Sequence, residues 1–508
     1  MFNAVVGFSA SNQRRPDFYH DFWPTTASQE RNHQLPSHHL PDSCTATLPT
    51  MISRSALGRN AQRALRRQCC VQPANRRGLA APASGSFQYE TGDASGVKYA
   101  SRDMSGPTTT LALVAKGGTR YQTLPGLTEG LEKYAFRATE KRSALRIIRE
   151  AELLGADLAS YHSRENLVVG AKFLRDDLPY FVELLAEVAT QTKYLPHVYH
   201  EEIIPLIQMA QKKLLASTKQ MALNSVHGVA FHRGLGIPLH PSSSTPYTKY
   251  LDADVIEDFA ASVYSKPNFT IVSNGAEHAE LTKWVNEFFT DVPSQPRSSL
   301  ESPHSKYYGG EERIAHGAGN TMVIAFPGST SATGGDYKPE FAVLAALLGG
   351  QTTIKWSPGF SLLAKAGSKY PGVDIDTKSL IYSDAGLLTV MLHGSAKAIS
   401  GAASDVVKAI QGIASQVGKE DFQKAKALAK FKELEHGQDV AAGLELTGAG
   451  LVHSDKAYQL DETAKSIDKV TEEQVKKAAA EMLKSRASVS SVGDLFVLPY
   501  AEDLGLKV

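Results

Sequence analysis

Cysteine is nearly missing from this chain of 508 residues, and its three cysteines all lie before residue 71: Cys44, Cys69 and Cys70. The body of the chain therefore cannot form a disulfide, bind a metal through a thiolate or hold an iron–sulfur cluster. It also lacks a haem-ligand pattern. We expect it to carry no cofactor.

Long apolar runs are missing as well. No stretch approaches the 18 or so residues that a membrane-spanning helix needs. The strongest apolar run, Phe341 to Leu348, has the length of a buried helix. The content of 42% hydrophobic and 21% charged residues is that of a soluble globular protein. We expect no transmembrane segment, and two or three domains at this length.

Acidic residues are absent from Met51 to Tyr89, where seven arginines recur among Ser, Ala and Leu. That composition is typical of a mitochondrial transit peptide. A nucleic-acid-binding arm is the competing interpretation. It is weaker because the segment lacks interleaved aromatic residues for base stacking and precedes an ordinary neutral protein. We predict a transit peptide over residues 51–83 and no nucleic-acid partner.

The processing site is predicted from Arg76, Arg77 and Gly78, which precede a stretch of small residues, so cleavage should fall near 77–83. Residues 1–50 have four acids, many His and Pro and no periodicity. We interpret them as a disordered or non-physiological extension, with Met51 as the physiological start. Without residues 1–89 the chain holds 44 basic and 49 acidic residues, a mildly acidic body.

Three landmarks repeat along the body at offsets of 211 to 218 residues: a strand near 109–117 and 320–328, a strand pair beginning at Gly155 and Gly372, and a strand near 269–275 and 488–493. Such near-constant offsets indicate an internal duplication. Strands in hairpins separated by runs of helix predict an α+β fold with mainly antiparallel sheets. Pro, Ser and Gly enrichment near 292–311 predicts a linker between domains 88–291 and 312–508.

Helices are predicted wherever the apolar periodicity is near 3.6 residues. In the first half these lie near 144–154, 176–192, 199–230 and 276–290. In the second half they lie near 339–349, 397–416, 419–435, 437–452 and 471–484.

The stretch from Gly126 to Arg142 has the frame of the inverted zinc-peptidase motif H-x-x-E-H, whose two His share a helix face and hold Zn²⁺. Glu132 keeps the position of the general base. Glu129 and Lys133 stand where the two His would be. The alternative is a solvated helix face, because Leu127 and Leu131 form a separate apolar stripe.

Glu129 and Lys133 are four residues apart with the acid on the N-terminal side, the better orientation for a helical ion pair. We predict that they pair with each other and that Glu132 shares the cation. These three residues form a vestigial motif, and we predict no catalytic residue and no metal site.

The strand and Gly-Gly turn at residues 108–121, this helix, and Ala135-Phe136 with Thr139, Lys141 and Arg142 after it together resemble the family of the mitochondrial processing peptidase and the core proteins of respiratory complex III. The resemblance covers about residues 90–508 and includes the ending 492–500. It implies two homologous peptidase-like domains, each a mainly antiparallel sheet packed with helices.

The third zinc ligand of that family is a Glu roughly 75 residues beyond the motif. Residues 203–235 contain neither Asp nor Glu. A metal needs deprotonated or neutral donors, whereas Lys133 would place an ammonium beside a dication. The resemblance thus implies a degenerate zinc-metallopeptidase homologue.

Other candidate sites are weak. His197, His200 and Glu201 could ligate a metal but are expected to be solvated. His227 and His232 flank a helix end, where a structural role is expected. The loop 349–359 lacks the spacing of a P-loop and is poorer in glycine than the substrate loop of the processing peptidase's α subunit.

The resemblance implies a non-catalytic structural and assembly subunit of respiratory complex III, on the matrix side of the mitochondrial inner membrane. Its partners would be core protein 1 and the other complex III subunits, and it would be peripheral to the membrane subunits. The alternative is a presequence-recognising, non-zinc subunit of the mitochondrial processing peptidase. An orphan inactive peptidase is a third possibility.

Overall fold

The computed structural model describes residues 88–242, 245–350, 359, 361–435 and 443–508. The predicted extension 1–50, the transit peptide 51–83 and the processing residues Arg76, Arg77 and Gly78 lie outside the described residues. So do most of the 349–359 loop and the predicted start of the 437–452 helix. Within the described ranges, no helix combines the length and the apolar composition needed to cross a bilayer.

The first half contains a six-stranded sheet with the spatial order β1-β2-β6-β3-β5-β4. Every neighbouring pair is antiparallel except β2 with β6. In this register Val114 lies opposite both Val168 and Thr270. The strands are β1 Glu90–Ala94, β2 Val97–Arg102, β3 Thr108–Ala115, β4 Asp157–His162, β5 Leu167–Leu174 and β6 Phe269–Asn274.

The second half repeats this arrangement in a five-stranded sheet of order β7-β11-β8-β10-β9, with only β7 and β11 parallel. Without the edge strand β1, the two strand orders are the same. The predicted α+β class and duplication are confirmed. The strands are β7 Gly310–Ala315, β8 Asn320–Pro327, β9 Asp374–Ile381, β10 Gly386–Gly394 and β11 Ser488–Gly493.

Helices pack on both sheets. Those of the first half are α1 Leu127–Tyr134, α2 Ala144–Leu153, α3 Leu178–Thr190, the single turn α4 Pro196–Val198, α5 Ile204–Ala216, α6 Thr218–Phe231, α7 Ala253–Val263 and α8 His278–Phe288. A π-helical turn, Tyr199–Ile203, joins α4 to α5. Those of the second half are α9 Glu340–Leu348, α10 Leu362–Gly367, α11 Ala396–Ile413, α12 Lys419–Glu435, α13 Leu444–Ser454, α14 Leu460–Asp468 and α15 Glu472–Lys484.

The helix predicted over 199–230 is wrong as one element, because the chain breaks at Ser217. Ser217 has extended backbone angles, and its side chain accepts a hydrogen bond from the backbone N–H of Gln220 at 3.4 Å. A Ser in that conformation caps the next helix. Helix α7 was not predicted, although Asp252 caps it by accepting from the N–H of Val255 at 2.9 Å.

The central strands are buried on both faces, which explains their unbroken apolar sequences. In β3, Leu111 and Leu113 face the main core of the first half, while Ala112 and Val114 face a second cluster. In β8, Ile324 faces the main core of the second half, while Val323 and Ala325 face a separate cluster on the other side of the sheet. Each sheet therefore needs a helical layer on both sides.

The second layer is exchanged between the halves. Helix α6 belongs to the first half by sequence but packs on β7, β8 and β11 of the second sheet. Helix α13 belongs to the second half and packs on β2, β3 and β6 of the first sheet. The close approach of α13 to β3 requires a glycine at position 448. Any Cβ there would lie 2.5 Å from the Cβ of Val114, which is too close for two carbon atoms.

The two halves also meet through the turns of their β4–β5 and β9–β10 hairpins. Arg120 is buried between them and donates to Glu165 Oε1 at 2.8 Å and to both carboxylate oxygens of Asp384 at 2.7 and 2.6 Å. Burial alone would raise the pKa of Asp384, but the hydrogen bond and charge of Arg120 lower it to about 2. The backbone N–H of Ser383 donates to Glu165 at 2.8 Å, so each hairpin contacts the other directly.

The segment from 293 to 309, within the predicted linker, contains no helix or strand but is not a free spacer. Leu300 is buried against the first core. Ser302 accepts from Arg120 at 3.1 Å, and the N–H of Ser305 donates to Asp384 at 2.8 Å. Strand β7 begins at Gly310, inside the predicted linker range.

Candidate functional site

The zinc-peptidase frame folds as the short helix α1, which begins after Gly126 and packs on α7. Gly126, just before it, has a φ of 96°, a left-handed conformation that glycine adopts without strain. A Cβ on Gly130 would lie 2.7 Å from Ile256 Cδ1, so α1 packs closely on α7. This packing turns Glu129 and Glu132 inward, with 1% and 5% of their surface exposed. The solvated-face alternative is therefore wrong for both carboxylates.

Glu132 lies between two cationic groups. One carboxylate oxygen contacts Nζ of Lys133, and the other contacts Nδ1 of His162 at the end of β4. Its backbone carbonyl accepts from Ser160 Oγ at 3.1 Å, which ties α1 to the same strand. Burial alone would raise the pKa of Glu132, but the charges of His162 and Lys133 hold it below its usual value.

His162 is an imidazolium by its hydrogen-bonding geometry. Nδ1 faces the Glu132 carboxylate, and Nε2 lies 2.9 Å from the backbone carbonyl of Leu239. Both partners can only accept, so both ring nitrogens must carry a proton. Burial alone would lower the pKa of His162, but the charge and hydrogen bond of Glu132, with a further contribution from Glu129, raise it.

Glu129 faces a different partner. One of its oxygens lies 3.2 Å from Nδ1 of His240, but the angles do not make this contact a hydrogen bond. Among the described residues neither oxygen of this carboxylate has a well-placed donor. The ring of His240 meets that of His162 edge to face, with centroids 5.6 Å apart. Burial and then the charge of Glu129 raise the pKa of the nearby Tyr247.

The segment that carries Leu239 and His240 is fixed by two side chains from the first half. The buried Arg164 donates to the carbonyls of Leu235 at 2.8 Å and Ile237 at 2.6 Å. On the other side, Gln211 of α5 donates to the carbonyl of Pro241 at 2.5 Å. His240 and the carbonyl of Leu239 that contacts His162 are thus held in place beside α1.

The predicted pairing of the vestigial motif is partly wrong. Lys133 pairs with Glu132, as predicted, but not with Glu129, whose carboxylate faces the ring of His240 instead. The reason is that α1 turns Glu129 into the interior, whereas the Lys133 side chain is about one quarter exposed. His162 and His240 were missed because no spacing rule links a helix to residues 30 and 108 positions beyond Glu132.

In the part of the chain that the structure describes, no group of three or more His, Cys, Asp or Glu side chains is arranged to hold a metal ion. His197 lies exposed in the α4 turn, and His200 and Glu201 lie exposed in the π-helical turn that follows it. The residues around α1 thus include two buried carboxylates, one ammonium and one imidazolium, with His240 beside them.

His227 has the structural role predicted for it. Nδ1 lies 2.6 Å from the carbonyl of Leu223, so it donates, and Nε2 accepts from the hydroxyl of Tyr382 at 2.8 Å. Burial and then the charge of Arg164 lower the pKa of His227 well below its usual value. The ring therefore stays neutral. His232, at the end of α6, stacks on Tyr308 at 4.1 Å.

Two family models match this chain. The model described as Insulinase (Peptidase family M16) matches residues 98–240, and the model described as Peptidase M16 inactive domain matches residues 250–428. Together they span more than half of the sequence. The chain belongs to the M16 peptidase family.

Relatives within this M16 family are similar over most of the chain. The protein named cytochrome b-c1 complex subunit 2, mitochondrial, of Neurospora crassa is 50% identical over 459 residues, which are 90% of this chain and all of the relative. The protein of the same name in Schizosaccharomyces pombe is 35% identical over 82% of this chain and 95% of its own length. The mitochondrial-processing peptidase subunit alpha of Solanum tuberosum is 25% identical over 80% of this chain.

These M16 relatives confirm the resemblance that the residues around α1 indicated. Within the family, the sequence pointed most specifically to subunit 2 of the cytochrome b-c1 complex, also called core protein 2. The relatives at 50% and 35% identity have that name, and the processing-peptidase subunit is more distant.

Proposed function

We propose that this chain is a non-catalytic structural and assembly subunit of the mitochondrial cytochrome b-c1 complex, respiratory complex III. The observation that carries this proposal is the full-length similarity to the Neurospora crassa subunit 2, at 50% identity. The similarity spans both halves of the chain. Because each half contributes a helix to the other's sheet, both halves are needed to form the surface that would contact other subunits.

The chemistry of the residues around α1 supports the non-catalytic part of the proposal. A general base must be free to take a proton from water near its substrate. Glu132 is instead buried and paired with Lys133 and His162, both of which favour its ionised form. A lysine ammonium in this position opposes the binding of a dication. We propose that Glu129 and Lys133 replace the ligands of an ancestral zinc site.

The proposed partner is core protein 1, on the matrix side of the inner membrane. The chain would be a peripheral subunit there. It would contact the membrane-embedded subunits of the complex without needing a transmembrane helix of its own. Residues 51–83 would direct import, and domains 88–291 and 312–508 would form the mature body with 292–311 between them. Residues 90–508 hold 44 basic and 49 acidic residues, so the net charge of the mature body would be slightly negative.

The alternative is a non-zinc subunit of the processing peptidase that recognises presequences. Relatives named as that enzyme's alpha subunit are 25% and 26% identical to this chain. The loop 349–359 falls where that alpha subunit has its glycine-rich substrate loop, but its sequence, Gly-Gly-Gln-Thr-Thr-Ile-Lys-Trp-Ser-Pro-Gly, is poorer in glycine, which counts against presequence recognition.

The experiment that tests the proposal is purification of the native protein from detergent-solubilised inner membranes. We expect it to co-purify in stoichiometric amount with cytochrome b and cytochrome c1. Migration with a zinc-containing processing-peptidase subunit, and not with the cytochromes, would support the alternative instead.

A further inference from the structure

The segment after β11 forms a loop that one arginine clamps. Arg313 of β7 donates to the backbone carbonyls of Leu495 at 2.7 Å and of Leu498 and Pro499, each at 2.9 Å. The ring of Tyr500 stacks on the same guanidinium, with 3.8 Å between Cζ of Arg313 and the ring centroid. Three carbonyls and an aromatic ring thus fix the loop to the second sheet.

The start of the loop is fixed as well. The N–H of Asp494 donates to Asn320 Oδ1 at 2.8 Å, and the N–H of Phe496 donates to the Asp494 carboxylate at 3.1 Å. Gly493 makes this possible: it has a φ of 136°, and a Cβ there would lie 2.4 Å from Asn320 Oδ1. Further on, Leu498 is buried in the core of the second half.

The side chain that this rigid loop exposes most is aromatic. Phe496 is fully exposed, and no other large apolar side chain in the described ranges is as exposed. Val497 and Tyr500 beside it are exposed by 41% and 55%. A preorganised loop loses little conformational entropy on binding, and exposed aromatic side chains are typical energetic centres of interfaces.

The charges around Phe496 define the kind of surface that it fits. From residue 494 to residue 503 the loop carries Asp494, Glu502 and Asp503 and neither lysine nor arginine. All three acids are exposed. Opposite charges around an apolar contact give an interface its specificity.

We propose that Phe496, with Val497 and Tyr500, is an anchor that inserts into an apolar pocket bordered by Lys and Arg on another subunit of the complex. This inference rests on the proposed function, since it requires a neighbouring subunit. The Arg313 clamp holds the loop in its binding conformation before the partner arrives.

Two other occupants fit the loop less well. A second copy of this chain meeting it in a two-fold contact would bring two sets of three acids together, which is unfavourable. An anionic membrane surface attracts segments with Lys and Arg, and this loop has neither.

The test uses the full chain, expressed in place of the native subunit, with the complex isolated from solubilised inner membranes. The variants are Phe496→Ala, the matched control Leu153→Ala on α2, which removes another strongly exposed apolar side chain, and Phe496→p-benzoylphenylalanine, an aromatic cross-linker. We expect Phe496→Ala to reduce the fraction of chain found in the complex by about tenfold or more. Leu153→Ala should be incorporated like the wild type.

We expect the cross-linker to label a different subunit at a site flanked by Lys or Arg, identified by mass spectrometry of the purified complex. Phe496→Ala should not change the midpoint of thermal unfolding of the isolated chain, since the side chain is fully exposed. Normal incorporation of Phe496→Ala, or cross-links only to a second copy or to lipid, would overturn the inference while the wild type still co-purifies. A wild type that does not co-purify would instead defeat the proposed function.

Discussion

At the scale of single residues, the environment of Glu132 determines the chemistry available around α1. Its carboxylate is held between the ammonium of Lys133 and the imidazolium of His162. A buried carboxylate with two cationic partners is stabilised in its ionised form, and both of its oxygens already contact those partners. The residue at the position of a general base therefore acts as the centre of an ion-pair cluster.

We predict that His162 makes the free energy of unfolding depend on pH. Its pKa is raised in the folded state. The contribution is therefore fully present below the unfolded pKa of about 6.5 and is lost as pH rises through the folded pKa. Each unit of pKa difference is worth about 1.4 kcal/mol. Urea unfolding of the wild type and His162→Gln between about pH 6 and 9 should show the two curves converging at high pH; parallel curves would contradict the prediction.

The vestigial motif should not regain peptidase activity when its histidines are restored. The variant Glu129→His with Lys133→His is expected to be inactive, because residues 203–235 offer no carboxylate to complete the zinc site and His162 still binds Glu132. Cleavage of a presequence peptide with added zinc measures this. Zinc-dependent cleavage that disappears when Glu132→Gln is added to the same variant would refute it.

At the scale of elements, the apolar periodicity located most of the helices. It did not locate the break between α5 and α6, and it did not indicate which sheet each helix packs on. Helix α11 begins within one residue of its predicted start, because apolar residues recur on one face over 18 residues. The break at Ser217 was missed because a Ser within a helical apolar pattern can lie inside a helix or cap the start of a new one. Only its extended backbone conformation in the structure shows that it is a cap. Strands β1 and β2 were missed because their sequence is polar and mixed.

The exchanged helix α13 should be sensitive to a single methyl group. Ala in place of Gly in a helix usually stabilises by about 0.5–1 kcal/mol, but at Gly448 the new Cβ would clash with Val114. We expect Gly448→Ala to lower the free energy of unfolding by about 1–3 kcal/mol. The matched control is Gly412→Ala in α11, where a Cβ meets nothing within 4 Å. Chemical denaturation checks both, and equal effects would exclude the clash.

At the scale of the whole molecule, the buried Arg120 joins the two halves through Glu165 and Asp384. Removing it leaves two carboxylates without a cation, so we expect Arg120→Met to cost about 3–5 kcal/mol. The control Arg297→Met removes an exposed pair with Asp258 and should cost less than about 1 kcal/mol. Equilibrium unfolding in urea measures both; similar small losses would show that the buried bridge is not needed to join the halves.

The mature form of the whole molecule should begin near residues 77–83. Arg76, Arg77 and Gly78 have the pattern of a processing site in an acid-free, arginine-rich segment. Sequencing the amino terminus of the protein isolated from mitochondria tests this. A mature protein that retains residues 1–50 would defeat both this prediction and the assignment of Met51 as the start.

The sequence by itself determined the duplicated α+β architecture, because periodicity and near-constant offsets are visible along the chain, and the residues around α1 pointed to the family by resemblance. Only the tertiary structure decided which groups surround Glu132, since His162 and His240 reach α1 from a strand and a loop far along the chain. It also decided that α6 and α13 each cover the other half's sheet. The physical reason is that a sheet buried on both faces needs two helical layers, and local pattern does not specify which helix supplies the second.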